Sequence, residues 1–179
     1  VCDEISRLGM LNIYGNQRFG REMEPVRMGY DVLRGTMRIT TMSRMKRRFI
    51  ISALQSFLFN EYCRARIEHH EFRKVLAGDI MKKTETGGMF VAEDQAVEQR
   101  RFEAGETVIT GPMFGKKMKP AQGLAVRREQ DVLERFGLDA SSFHQFHSLG
   151  AGTRRAMLVY PEDLEIEAVE GGVRIRFFL

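Results

Sequence analysis

Nine consecutive residues, Asn12-Ile13-Tyr14-Gly15-Asn16-Gln17-Arg18-Phe19-Gly20, concentrate groups suited to holding a polyanion. Arg18 offers a planar fork that matches a phosphate. Tyr14 and Phe19 offer faces on which a base can stack. Asn12 and Gln17 add amide donors and acceptors, while Gly15 and Gly20 free the backbone for turns. Neither a helix nor a strand gains from that mixture. A nucleic-acid contact loop is the favoured reading, and the alternative is a turn pinned by Tyr14 and Phe19 on a neighbouring helix.

Charge distribution points the same way. From Val32 to Asn60 there is no acidic residue, yet Arg34, Arg38, Arg44, Lys46, Arg47 and Arg48 fall there. A stretch of one sign concentrates potential and draws phosphate through counterion release; a solvated helix start is the alternative. Lys116, Lys117 and Lys119 follow Gly111-Pro112-Met113-Phe114-Gly115, read here as a turn that displays them. This is no Walker motif, because Gly-Lys-Lys lacks the hydroxyl residue that holds magnesium. Arg154 and Arg155 precede an apolar run. On a strand they point to opposite faces, so only one can enter a shared cleft.

Other chemistries fare worse. Adjacent His69 and His70 diverge by about 100° on a helix and do not share one ion easily. His144 and His147 have a better spacing but no nearby Cys or acidic partner, so a partly exposed pair is expected. Cys2 and Cys63 are too few for a disulfide framework and read as inert thiols of a reducing cytoplasm. No nucleophile constellation emerges.

The elements that must position the loop read as α+β: a helical layer with a small mixed or antiparallel sheet. Residues to about Leu11 read as an amphipathic helix and Asp31 to Met37 as a helical turn. The longest helical pattern runs from Met45 to roughly Ala77, capped by Ser43 or Thr41 and stopped at Gly78. Phe49, Leu54, Phe57, Leu58, Ile67 and Phe72 give it one apolar face. Asp79 to Gly123 reads as short strands with tight turns around a helix near Glu93 to Phe102. Leu124 to Phe136 is helical, Ser142 to Leu149 ambiguous, Arg154 to Leu158 a short strand, and Leu164 to Leu179 a hairpin turning at Glu170-Gly171-Gly172.

Composition sets outer bounds. The chain has 179 residues, 43% hydrophobic and 29% charged, with a net charge of +4 and a pI near 9.3. These are ordinary values for a folded protein. No apolar run approaches the roughly 20 residues that span a bilayer, and the acidic opening lacks a signal-peptide pattern. An opening without Met and a closing strand with an unpaired apolar edge lead to the expectation that the chain is a fragment.

Four segments, in order, resemble one family. Asn12 to Gly20 is similar to the Asn-Tyr-Phe-Gly-x-Gln-Arg-Phe-Gly signature of the TruD family of tRNA pseudouridine synthases, departing at Ile13 and Tyr14. Ser52-Ala53-Leu54-Gln55-Ser56-Phe57-Leu58-Phe59-Asn60 resembles its Ser-Ala-x-x-Ser-x-Leu-Phe-Asn helix. Gly111 to Gly115, with Glu129 beyond, and Arg154-Arg155-Ala156-Met157 followed by Tyr160-Pro161 resemble two later blocks.

The resemblance implies a parent enzyme that isomerises a uridine, at position thirteen of tRNA, without cofactor or metal. It implies a helix of the catalytic domain over residues 1–11, the family's inserted domain over 12–164, and return strands over 165–179. The family's catalytic aspartate lies in a Gly-x-Lys-Asp motif that nothing before Asn12 matches, so no catalytic residue is assigned here. Asn12, Tyr14, Gln17, Arg18, Phe19, Lys46, Arg47, Arg48 and Arg154 are the expected RNA contacts. Expected partners are tRNA and the remaining catalytic portion of the same chain, in a cytoplasmic monomer that touches no membrane. The rival is a stand-alone RNA- or protein-binding module without activity.

Overall fold

The computed structural model describes residues 2–146 and 148–178. The chain runs α1 (Cys2–Leu8), β1 (Met10–Leu11), α2 (Glu24–Leu33), α3 (Arg44–Glu68), β2 (Ile80–Lys83), β3 (Met89–Val91), α4 (Gln95–Glu103) and β4 (Thr107–Met113). It continues through α5 (Gly123–Arg135), β5 (Thr153–Ala156), β6 (Leu158–Val159), β7 (Glu162–Val169) and β8 (Gly172–Phe178). Short 3-10 turns occupy Asn16–Phe19, Arg21–Met23 and Ala140–Phe146.

Helix α3 is the axis of the fold. Ser43 caps it, accepting from the Lys46 amide at 3.3 Å, which satisfies one of the unpaired donors of the first turn. The apolar stripe continues further, but the helix ends at Glu68 rather than near Ala77. Arg66 is the reason. Its guanidinium collects the carbonyls of Glu71 (3.0 and 3.2 Å) and Lys74 (2.7 Å) and the Asp79 carboxylate (2.9 and 3.1 Å). The chain must leave the helix to bring those acceptors round it, and His70 turns with a φ of 55°.

More than one face of α3 is buried. Leu54, Leu58, Phe59 and Tyr62 sit in the core, with α2, β4 and α5 packed around the helix. Phe49 and Ile67, expected on the apolar face, are exposed. Helix α2 replaces the shorter turn expected at Asp31 to Met37. Pro25 stands in its first turn, where its missing N–H costs nothing. Gly29 lets it approach α3: a Cβ there would lie 2.8 Å from the Ile50 carbonyl.

Strands β3-β2-β4-β5 form an antiparallel sheet in that order. Gly111 and Pro112 are interior to β4, not in a turn, and pair with Arg155 and Arg154. A Cβ on Gly111 would fall 2.8 Å from the Phe59 ring, so glycine lets the sheet lie on α3. Helix α1 stops at Leu8 because Gly9 takes a φ of 74°; Met10 and Leu11 then pair with Val159 and Leu158. Strands β7 and β8 form the expected hairpin, aligning Ile166 with Ile175 and Glu165 with Arg176. Val173, Ile175, Phe177 and Phe178 of the hairpin are exposed.

Candidate nucleic-acid interface

Residues 12–19 lie across α3 and the β5–β6 segment, held at the start by amides and at the end by the buried Phe19 ring. The Asn12 amide N–H donates to the Met157 carbonyl at 2.9 Å and its side chain to the Ala156 carbonyl at 2.9 Å. Asn60 grips Tyr14 twice: its Oδ1 accepts from the Tyr14 amide at 2.9 Å, and its Nδ2 donates to the Tyr14 carbonyl at 2.8 Å. That reciprocal pair mimics a strand ladder, so a loop without regular structure acquires a fixed path.

Arg18 is the most informative side chain. It extends back over the first half of α3, donating from Nε to Ser56 Oγ at 3.2 Å and from Nη2 to Ser52 Oγ at 2.8 Å. The two serines stand four apart, hence on one helix face. The Tyr14 and Phe49 rings lie 5.8 and 5.6 Å from the guanidinium carbon. Among the described residues no carboxylate pairs with it. A shallow pocket lined by Gly15, Gln17, Arg18 and Phe49 opens there. The charge is aimed, oriented by neutral partners, and left uncompensated.

The start of α3 extends the positive surface. Lys46 and Arg48 are exposed and Arg47 half-buried. None has a carboxylate partner among the described residues. The Arg47 Nε is buried with no hydrogen-bond partner among the described residues. No acid stands in the first turn of the helix, so these cations add to its positive dipole end rather than offset it.

Two expected contacts are corrected. Phe19 is buried, its ring edge-on to Phe57 at 6.3 Å; it anchors the loop and presents no face to a ligand. Arg154 is also buried, its guanidinium paired with Glu129 and donating to the Lys119 carbonyl at 2.7 Å. Its charge is neutralised inside the fold. The strand alternation sends Arg155 to the opposite face, and that arginine reaches the loop. It donates to the Asn12 carbonyl at 3.0 Å and to the Asn12 side chain, and its guanidinium carbon lies 4.2 Å from the Tyr14 ring centroid. Sequence reasoning saw that only one of the pair could enter a cleft and assigned the other one. Asn60, Ser52 and Ser56 were legible as a motif but carried no role.

Deeper polar groups hold the fold rather than face a ligand. Burial pushes the Cys63 thiol up to about 12, against the opposing pull of Arg66 and Arg155. It also raises the Tyr62 hydroxyl and the Glu129 carboxyl, with Arg154 opposing the latter. Among the described residues no three His, Cys, Asp or Glu side chains gather as a metal-binding group. His147, and with it the His144–His147 pair, lies outside the described residues. No described helix is long and apolar enough to cross a membrane.

The α+β fold agrees with three comparisons. The family model described as tRNA pseudouridine synthase D (TruD) matches residues 37–179. A tRNA pseudouridine synthase D of Anaeromyxobacter sp. (strain Fw109-5) is 37% identical over 156 residues, 85% of this chain and 45% of that protein. The enzyme of the same description from Thermus thermophilus is 37% identical over 181 aligned residues, 100% of this chain and 48% of its own length. A crystal structure of a Methanosarcina mazei protein assigned as tRNA pseudouridine synthase D shares the fold, with a TM-score of 0.74 at 19% identity, covering 98% of this chain and 59% of that one.

The chain belongs to the TruD family of tRNA pseudouridine synthases. It spans about half the length of the curated relatives it matches.

Proposed function

We propose that this chain is the tRNA-positioning portion of a cytoplasmic pseudouridine synthase that isomerises uridine at position thirteen of tRNA. The reaction breaks the N-glycosidic bond, rotates the uracil and rejoins it through carbon. The carboxylate that carries it is assigned to a Gly-x-Lys-Asp segment outside residues 1–179. Reaching the target takes the base out of its stack, and the work left to this portion is holding the RNA while that happens. Residues 12–164 are assigned to the inserted domain, with 1–11 and 165–179 joining the catalytic fold.

The observation that carries this reading is Arg18, held by Ser52 and Ser56 and facing no carboxylate among the described residues. Asn12, Tyr14, Gln17, Lys46, Arg47, Arg48 and Arg155 supply the surrounding surface. Filter binding of an unmodified tRNA transcript by residues 1–179 tests it directly. Replacing Lys46, Arg47 and Arg48 together by alanine should weaken binding and lower the salt slope by about 2 to 3. Equal affinity of wild type and triple variant at every salt concentration refutes the assignment. The same polypeptide should show no turnover of tRNA unless the remaining half is supplied; turnover by it alone refutes the placement of the carboxylate.

A further inference from the structure

Beside the phosphate-facing surface lies an apolar groove that the reading above does not use. It encloses about 390 Å³ between α2, α3 and the end of α5, and its walls include Tyr30, Leu54, Phe57 and Phe136. The Phe57 and Phe136 rings meet edge-on at 5.3 Å. Polar groups enter it from two side chains of opposite sign, Arg27 and Asp31. Small-molecule sites run from roughly 300 to 1,000 Å³ and share this make-up of apolar walls with a few placed polar groups.

We propose that this groove receives one unpaired nucleobase of the bound RNA, a subsite separate from the centre where uridine is isomerised. The inference rests on the RNA-positioning reading. Three features select a base over a peptide or a second copy of the chain. The walls are aromatic, and rings stack on any base face. Arg27 is exposed and its 3.8 Å pairing with the exposed Glu22 carboxylate is loose enough for a flanking phosphate to displace, while the Asp31 carboxylate accepts from base N–H groups. Finally, Phe57 of the groove meets the Phe19 ring edge-on at 6.3 Å, and Phe19 follows Arg18 in the loop. The groove therefore adjoins the loop that carries the phosphate-facing cation.

The backbone favours a formed groove. Glu22 and Met23 have φ values of 52° and 60°, conformations that non-glycine residues hold only when the surroundings enforce them, and Met23 lines the site.

The salt dependence of tRNA binding distinguishes stacking from phosphate contact. Phe136→Ala should weaken binding about 5- to 150-fold with an unchanged salt slope, because a lost stack releases no counterions. Phe136→Tyr, which keeps the ring, should bind like wild type. Lys46→Ala should instead lower the slope by about 0.7 to 0.9.

Unchanged affinity of Phe136→Ala while Lys46→Ala weakens binding overturns the groove assignment and leaves the RNA reading standing. Absence of tRNA binding by the wild type overturns both. A change in the oligomeric state of Phe136→Ala without loss of RNA affinity gives the groove to a protein partner and overturns the proposal. Should Phe136→Ala not fold, nuclear Overhauser contacts between the wild-type protein and the four nucleoside monophosphates decide. Contacts from base protons to the Phe136 and Tyr30 rings are expected, and their absence with all four refutes the site.

Discussion

Replacing Arg18 by alanine tests the loop at its most exposed assumption. A guanidinium has five N–H donors. Two of the five are engaged by Ser56 and Ser52, so three remain for a phosphate. A hydrogen bond with one charged partner contributes about 1.5–3 kcal/mol, so the change should raise the dissociation constant for tRNA roughly 10- to 150-fold. One neutralised phosphate fewer should lower the salt slope by about 0.7 to 0.9. The fold should survive: two hydrogen bonds to serine hydroxyls are lost at about 1 kcal/mol each, against a typical total of about 5–15 kcal/mol.

Arg18→Lys separates charge from shape. It keeps the slope yet cannot span both hydroxyls, so its affinity should fall between wild type and Arg18→Ala. Arg100, exposed on α4, is the control. Filter binding across a series of salt concentrations measures all three variants. If Arg18→Ala and Arg100→Ala both stay within about twofold of wild type, the loop does not hold RNA through Arg18.

Three further outcomes follow from the packing. Arg66→Met leaves the Asp79 carboxylate buried without its cation and should cost about 3–5 kcal/mol in urea unfolding; a loss below about 1 kcal/mol, the scale of an exposed pair, would show that the loop from His69 to Asp79 does not depend on it. Glu71, paired with Arg128 at 2.9 Å through both oxygens, has its carboxyl lowered by that hydrogen bond below its ordinary 4.5. Its contribution is therefore present above pH 4.5 and fades as pH falls through the lower folded-state value. Glu71→Gln should destabilise by about 1 kcal/mol at neutral pH and converge with wild type in acid, which pH-dependent urea midpoints will show. Gly29→Ala gains helix propensity but drives a Cβ to 2.8 Å from the Ile50 carbonyl; thermal unfolding should show a net loss of about 1–2 kcal/mol, and a gain would mean that α2 shifts freely against α3.

Local pattern made much of this fold readable. The small antiparallel sheet, α4, α5, the Ser43 cap and the closing hairpin all follow from periodicity and turn residues close in sequence. The misreadings occur where a distant group decides. Nothing local marks Glu68 as a helix end, because the cause is a guanidinium reaching carbonyls five and eight residues onward. Gly111-Pro112 imitates a turn until the Phe59 ring that excludes a Cβ is in view. Helix α2 is obscured by Gly29, which reads as punctuation and serves as a contact surface. Residue type marked residues 12–20 as lying outside helix and strand, which most of them do. Composition could not say that Phe19 faces inward while Arg18 lies back along α3.

The Arg154-Arg155 pair shows why adjacent identical residues need not share a role. Strand β5 pairs with β4 on one edge of the sheet, and alternation places one guanidinium on each side. On the inner side Arg154 meets Glu129, and burial there requires the pairing, since an isolated charge is costly. On the outer side Arg155 finds the Asn12 carbonyl and side-chain amide and the rings of Tyr14 and Phe59. These are neutral partners that orient a cation without cancelling it. The same step of the chain therefore closes the core with one charge and adds the other to the loop, beside Arg18 on the Tyr14 ring. A substitution that shifted β5 by one residue would exchange these surroundings, burying Arg155 against Glu129 and turning Arg154 towards the loop. The register of that short strand thus decides which arginine joins the proposed RNA surface.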